Sequence, residues 1–189
     1  AVSRIEKKLG YPCFVKPANA GSSVGITKAH NRDELISGLH LAAQHDSKIV
    51  VEEAIVGREI ECAVLGNRDK AEASCVGEIF AAAEFYDYDA KYNNSDSKTV
   101  VPADISKEKS DEIRKTAVKV FKAVDGSGLA RVDFFVEKDT ERVIFNELNT
   151  LPGFTPISMY SMLWAACGKS MGELIDDLID LALERFSLK

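Results

Sequence analysis

The sequence predicts an α+β fold with largely antiparallel sheets. Two observations carry this. Segments rich in β-branched and aromatic residues are interspersed with helices of clear 3.6-residue periodicity. Several neighbouring strands are also joined too closely for the helical crossovers that parallel pairing needs. The 189 residues suffice for one ordinary domain or two small lobes sharing a cleft.

In chain order, residues 2–9 read as a helical tail running into Gly10-Tyr11-Pro12 and a strand at 13–15. A helix is expected over 31–44, where Leu35, Leu39 and Ala42 share a face. Strands follow at 49–54, 59–65 and 74–79. Residues 84–97 mix aromatic, polar and charged side chains and read as a long functional loop. A second helix over 110–124 aligns Ile113, Ala117, Val120, Phe121 and Val124, and Gly126 stops it. Strands at 129–136 and 142–148 form a hairpin, and a short helix over 160–167 ends at Gly168. The last helix, 171–186, opens with a Ser170/Glu173 capping box and is expected to bury Leu174, Ile175, Leu178, Ile179 and Ala182. The chain opens without a start signal, so further sequence is expected upstream.

Composition narrows the function. Net charge is −6 and no Lys/Arg cluster appears, which argues against a nucleic-acid partner. A mildly acidic protein still binds nucleotides through a few cations and backbone N–H groups. Apolar runs are too short to span a bilayer, and the charged start AVSRIEKKLG lacks the apolar core of a signal peptide. Cys13, Cys62, Cys75 and Cys167 form no CxxC pair and read as reduced, buried thiols on strands of a cytoplasmic protein. His30, His40 and His45 cluster around the first helix as surface residues, and no Ser/His/Asp arrangement is readable.

Four constellations carry possible chemistry. In Phe14-Val15-Lys16-Pro17-Ala18-Asn19-Ala20-Gly21-Ser22-Ser23-Val24-Gly25, a strand-end lysine precedes a Gly/Ser loop able to cradle phosphate. It is not a Walker A motif, and alone it reads more often as a plain turn. Arg131-x-Asp133 and Glu147-x-Asn149 lie on the two arms of the hairpin. An odd loop centred on Thr140 would set Asp133 opposite Glu147 and Arg131 opposite Asn149, all on one face; an even loop would scatter them. Two carboxylates and an amide oxygen suit Mg²⁺. The plain alternative is a solvated sheet face with an Arg–Asp ion pair. The following turn, Leu151-Pro152-Gly153-Phe154-Thr155, can aim N–H groups at developing negative charge. Residues 50–59 (VVEEAIVGRE) could present backbone and carboxylates to adenine and ribose, although an acidic strand edge is the default. Residues 84–92 (EFYDYDAKY) read as a lid or as a surface loop.

The order FVKPANAGSSVGI, VVEEAIVGREIECAVLG, EFYDYDAKY, GLARVDFF and FNELNTLPGFTPIS closely resembles the D-alanine–D-alanine ligases of the ATP-grasp superfamily, from about Gly10 to the C-terminus. The resemblance implies an ATP-grasp fold, with a partial small lobe over 1–57 and a large lobe over 58–189. The family's N-terminal domain and an earlier lysine are not in this sequence, so the chain is expected to be a fragment. By resemblance, Lys16 contacts the α- and β-phosphates of ATP, Ser22 and Ser23 cover phosphate, and Glu52, Glu53, Ile55 and Glu59 hold adenine and ribose. Lys91 and Tyr92 form the lid pair, with Lys91 near the γ-phosphate. Asp133, Glu147 and Asn149 ligate two Mg²⁺ ions, with Mn²⁺ as an alternative. Arg131 and the Gly153 N–H stabilise the oxyanion, and Ser158 and Met159 border the second substrate.

The implied reaction makes a D,D-dipeptide for peptidoglycan precursors through an acyl phosphate. It takes place in the cytoplasm, on ATP and D-amino acids, in a homodimer with no membrane insertion. Lys91-Tyr92 argues against a D-lactate acceptor. LPGFT and GLARVDFF look somewhat like vancomycin-resistance ligases, which leaves D-alanine and D-serine both open. The rival readings are another ATP-grasp carboxylate–amine ligase and a non-catalytic nucleotide-binding fragment.

Overall fold

The computed structural model describes residues 1–19, 24–80 and 98–187. Two compact units emerge: one within Ala1–Val56, the other comprising Gly57–Phe80 and the chain from Lys98 onward.

The first unit contains α1 (Val2–Leu9), β1 (Cys13–Pro17), β2 (Thr27–Ala29), α2 (Arg32–Ala43) and β3 (Ile49–Glu53). Its sheet has the order β2-β1-β3 and is antiparallel throughout. Asn31 caps α2 by accepting from the Glu34 N–H at 3.0 Å, and Asp33 and Glu34 favour the positive end of its dipole. Leu35 and Ala42 then pack onto Cys13, Val15 and Ala29. Gly38 lets the helix come close, since a Cβ there would lie 3.1 Å from Thr27 Cβ. At three residues, β2 is too short to show a period in the sequence.

The second unit holds β4 (Gly57–Asn67), β5 (Glu72–Phe80), β6 (Lys98–Val100), β7 (Ser127–Glu137) and β8 (Val143–Asn149), in the antiparallel order β6-β5-β4-β7-β8. Side-chain alternation gives this sheet two faces. Ile60, Cys62, Val64, Val132, Phe134 and Val136 pack against α3 (Lys107–Ala123) through Ile113, Ala117 and Phe121. Ala63 and Leu65 meet α4 (Met159–Ala166) and α5 (Met171–Ser187). Glu61, Arg131, Asp133, Glu147 and Asn149 share this second face.

Three expectations are corrected. Helix α3 starts at Lys107, because Ser106 is its N-cap and accepts from the Lys109 N–H at 3.2 Å; Val124, beyond its end, is exposed. The Ser170/Glu173 capping box of α5 forms in both directions, at 2.8 Å from the Ser170 N–H and 3.3 Å from the Glu173 N–H. However, α5 buries Leu174 and half-buries Leu178 and Leu181, whereas Ile175, Ile179 and Ala182 are exposed, Ile175 and Ile179 lying about 100° round the helix. Of the cysteines, Cys13 and Cys62 are buried strand residues, and burial pushes the Cys62 thiol up to about 12. Cys167 is instead an exposed residue at the C-cap of α4, where its sulfur accepts from the Cys75 N–H at 3.0 Å.

Candidate active site

The β7–β8 hairpin builds the centre of the site. Arg131 pairs with Asn149 and Asp133 with Glu147, so all four lie on one face. The turn reaches that alignment by an unexpected route. Near the turn the pairs are Val136–Val143, Ile144–Phe135 and Phe145–Phe134, the register of an even loop. A β-bulge then leaves Asn146 without a cross-strand partner in the register and restores the one-face alignment from Glu147 onward. An odd loop centred on Thr140 is therefore not the cause.

Arg131 grips Asp133 with two parallel bonds, Nε to Oδ1 at 2.8 Å and Nη2 to Oδ2 at 2.7 Å. Its Nε also lies 3.0 Å from Glu61 Oε2, on β4. Burial opposes the charge on Arg131, but the bonds to Asp133 and the nearby Glu61 and Glu147 carboxylates outweigh it and push its pKa up. Asn149 Nδ2 donates to Asp133 Oδ2 at 3.0 Å and to Glu147 Oε1 at 3.3 Å, tying the two carboxylates together. Asp133 is buried and Glu147 exposed. Glu61 lies within the segment VVEEAIVGREIECAVLG, but the resemblance assigns it no role. Its signal was the Glu59-x-Glu61 alternation within an apolar strand, which puts both on the site face.

The Asp133 and Glu147 carboxylates are the hard oxygen donors that Mg²⁺ prefers, and Asn149 would join them with its amide turned to present Oδ1 where Nδ2 now points, so the donor set fits the ion. Among the described residues, no group of three or more His, Cys, Asp or Glu is arranged to hold a metal; here the third donor is an amide.

Downstream, Gly153 and Ser158 come together at the head of α4. A Cβ on Gly153 would lie 2.9 Å from Ser158 Oγ, so only glycine leaves this hydroxyl its space. Ser158 Oγ accepts from the Thr155 N–H at 3.1 Å and shares a bond with Thr155 Oγ1 at 2.9 Å. Met159 is buried and packs into the core between the sheet and α4.

In the first unit, Lys16 Nζ lies 2.6 Å from Glu52 Oε2. The two are diagonal neighbours across β1 and β3, because Phe14 faces Glu52 and Lys16 faces Val50. Glu53 is exposed and Ile55 half-buried just beyond β3. Glu59 is on β4, opposite Phe135. Ser22, Ser23, Lys91 and Tyr92 lie outside the described residues.

The family described as D-ala D-ala ligase C-terminus matches residues 1–180. A D-alanine–D-alanine ligase of Acetivibrio thermocellus is 59% identical over 98% of this chain and 49% of its own length. One from Bacillus velezensis is 53% identical over 100% of the chain and 52% of its own length. Among solved structures, the VanG D-Ala:D-Ser ligase of Enterococcus faecalis superposes with a TM-score of 0.85 at 42% identity, over 95% of this chain and 52% of that one. The D-alanine–D-alanine ligase of Bacillus anthracis gives 0.81 at 35% identity, over 97% and 58%. The chain spans about half the length of the curated relatives it matches.

Proposed function

The chain belongs to the D-alanine–D-alanine ligase C-terminal family, and on that premise we propose that it forms the ATP-binding and bond-forming part of a ligase that joins two D-amino acids. The observation that carries this reading is the alignment of Arg131, Asp133, Glu147 and Asn149 on one sheet face, inside a chain matched by the family over residues 1–180.

The γ-phosphoryl group of ATP passes to a carboxylate oxygen of the first D-alanine, and ADP leaves. The amine of the second amino acid attacks the acyl carbon, loses a proton, and inorganic phosphate departs with its bridging oxygen. Lys16 binds phosphate oxygens as a point charge, released from Glu52. Glu53, Ile55 and Glu59 border the nucleotide base and sugar. Asp133, Glu147 and Asn149 hold Mg²⁺, which when bound neutralises charge on the transferring phosphoryl group. Arg131 and the Gly153 N–H face the oxyanion of the tetrahedral intermediate, where fixed donors act without reorganising. Ser158 contacts the carboxylate of the second amino acid, and the core position of Met159 fixes the helix turn that carries it. Ser22, Ser23, Lys91 and Tyr92 cover the phosphates and close over the substrates. The enzyme works as a cytoplasmic homodimer; no helix among the described residues is long and apolar enough to cross a membrane.

The second substrate is D-alanine. Support comes from the curated relatives named D-alanine–D-alanine ligase, which are 53–59% identical. The likeness to a D-Ala:D-Ser ligase at 42% identity favours D-serine as the second reading. Incubating the full-length protein with Mg-ATP and D-alanine, D-serine or D-lactate decides, with phosphate release and product mass as readouts. D-alanyl-D-alanine is expected, a mixed D-alanyl-D-serine product would establish the second reading, and no D-alanine-dependent turnover would refute both.

A further inference from the structure

Glu61, Asp133 and Glu78 are the buried carboxylates among the described residues. Glu78 lies on the α3 face, locked to Arg58 by two bonds of 2.6 and 2.5 Å. Glu61 is different, because it touches the candidate active site. It stands opposite Asp133 in the β4–β7 register, and its Oε2 lies 3.0 Å from Arg131 Nε. The guanidinium therefore lies between two carboxylates: its Nε–H donates to Asp133 Oδ1, and Glu61 Oε2 pairs with it by charge.

Asp133 engages Arg131 through both oxygens. Those are the atoms with which it would face a cation, and a carboxylate holding a bidentate arginine has fewer lone pairs to offer. Cation binding thus competes with the hold of Arg131 on Asp133. A mostly buried guanidinium that lost its partner would be costly, and a divalent ion beside it would repel it. Glu61 supplies a second anchor that leaves the Nη groups free to face the reacting centre.

We propose that Glu61 is a positioning residue that keeps Arg131 in the site when Asp133 turns from the guanidinium to the metal ion, an inference that rests on the metal-site reading given above. Without the Glu61 charge, Arg131 depends on Asp133 and Glu147, the two carboxylates that would face the cation, and resists it.

The test measures Mn²⁺ binding by electron paramagnetic resonance, on the full-length protein with a non-hydrolysable ATP analogue present. Glu61→Gln lowers Mn²⁺ affinity about tenfold, the lower end for outer-shell partners of a metal site. Loss of a nearby negative charge would also weaken binding, so the comparison is repeated in an Arg131→Met background. An effect transmitted through Arg131 shrinks there to about twofold or less, whereas a purely electrostatic one persists. Equal factors in both backgrounds overturn the positioning role and leave the metal site standing. No Mn²⁺ binding by the parent protein removes the metal-site reading, and the positioning role with it. Should Glu61→Gln fail to fold, Glu61→Asp carries the same cycle: it keeps the charge with a shorter reach, and its smaller loss must likewise vanish with Arg131→Met.

Discussion

Asp133 stands directly across the sheet from Glu147, and the alignment depends on the bulge at Asn146. Given the register set at the turn, an unbulged β8 would place Asn146 opposite Asp133 and turn Glu147 toward the α3 core. Deleting Asn146 removes the bulge but leaves Phe145 and Glu147 adjacent, which keeps Glu147 opposite Asp133. The deletion variant should therefore fold and retain more ATP turnover than Glu147→Gln. Turnover as low as that of Glu147→Gln would mean that the bulge aims the carboxylate as well as setting its register.

Much of this arrangement was legible in the sequence. Strands such as β4 and β7 are long and apolar enough to announce themselves, and the polar residues at alternate hairpin positions pointed to one face. The cause of that alignment was not legible, because a bulge is a backbone irregularity with no fixed composition. The short strands β2 and β6 were missed, since three residues cannot establish a period. Helix α5 has apolar residues on more than one side, so pattern alone could not tell which stripe, Leu174-Leu178-Leu181 or Ile175-Ile179, meets the sheet. Glu61 escaped because an acidic residue on a strand looks the same in sequence whether it faces solvent or an arginine.

Lys16→Ala and Glu147→Gln should each lower ATP turnover by about 10²-fold or more, the range found when a single preorganised charge-stabilising group is lost. Neither should greatly change stability. Glu147 is exposed, and the partly exposed Lys16–Glu52 pair is worth about 1 kcal/mol or less. Steady-state phosphate release paired with thermal melts checks both halves. Near-normal turnover in either variant would remove that residue from the mechanism.

The α5 cap yields a pH prediction. Glu173 is held below the usual carboxylate range by bonds from the Ser170 hydroxyl and the Ser170 N–H. A folded-state pKa below the unfolded one gives a contribution that is complete above the unfolded pKa and is lost as pH falls through the folded pKa. The cap thus supports α5 at neutral pH and weakens on acidification below the ordinary glutamate range. Ser170→Ala should raise the Glu173 titration midpoint toward its usual value, read from side-chain carboxyl chemical shifts, and lower the melting temperature at pH 7 more than at pH 3. An unmoved midpoint would show that the Ser170 hydroxyl does not hold the carboxylate, since the backbone N–H at this position survives the exchange.

Gly77 tests how the second-substrate end of the site is positioned. It lies on β5 under the first turns of α4, and a Cβ there would come 2.9 Å from Met159 Sδ, 3.1 Å from Leu163 Cδ2 and 3.1 Å from Val101 Cγ2. A methionine sulfur can yield to one such contact, but three at once on a packed face amount to overpacking, which costs about 1–3 kcal/mol. Exchanging a strand glycine for alanine returns about 0.5–1 kcal/mol, so the packing term prevails. Gly77→Ala should therefore destabilise the protein by roughly 1 kcal/mol, and by at most about 2.5 kcal/mol, in denaturant titrations. Because Met159 directly follows Ser158, displacing it also shifts the hydroxyl assigned to the second amino acid. KM for that amino acid should rise while KM for ATP stays near its parent value. Equal changes in both would mean that the strain spreads through the sheet instead of acting at the head of α4.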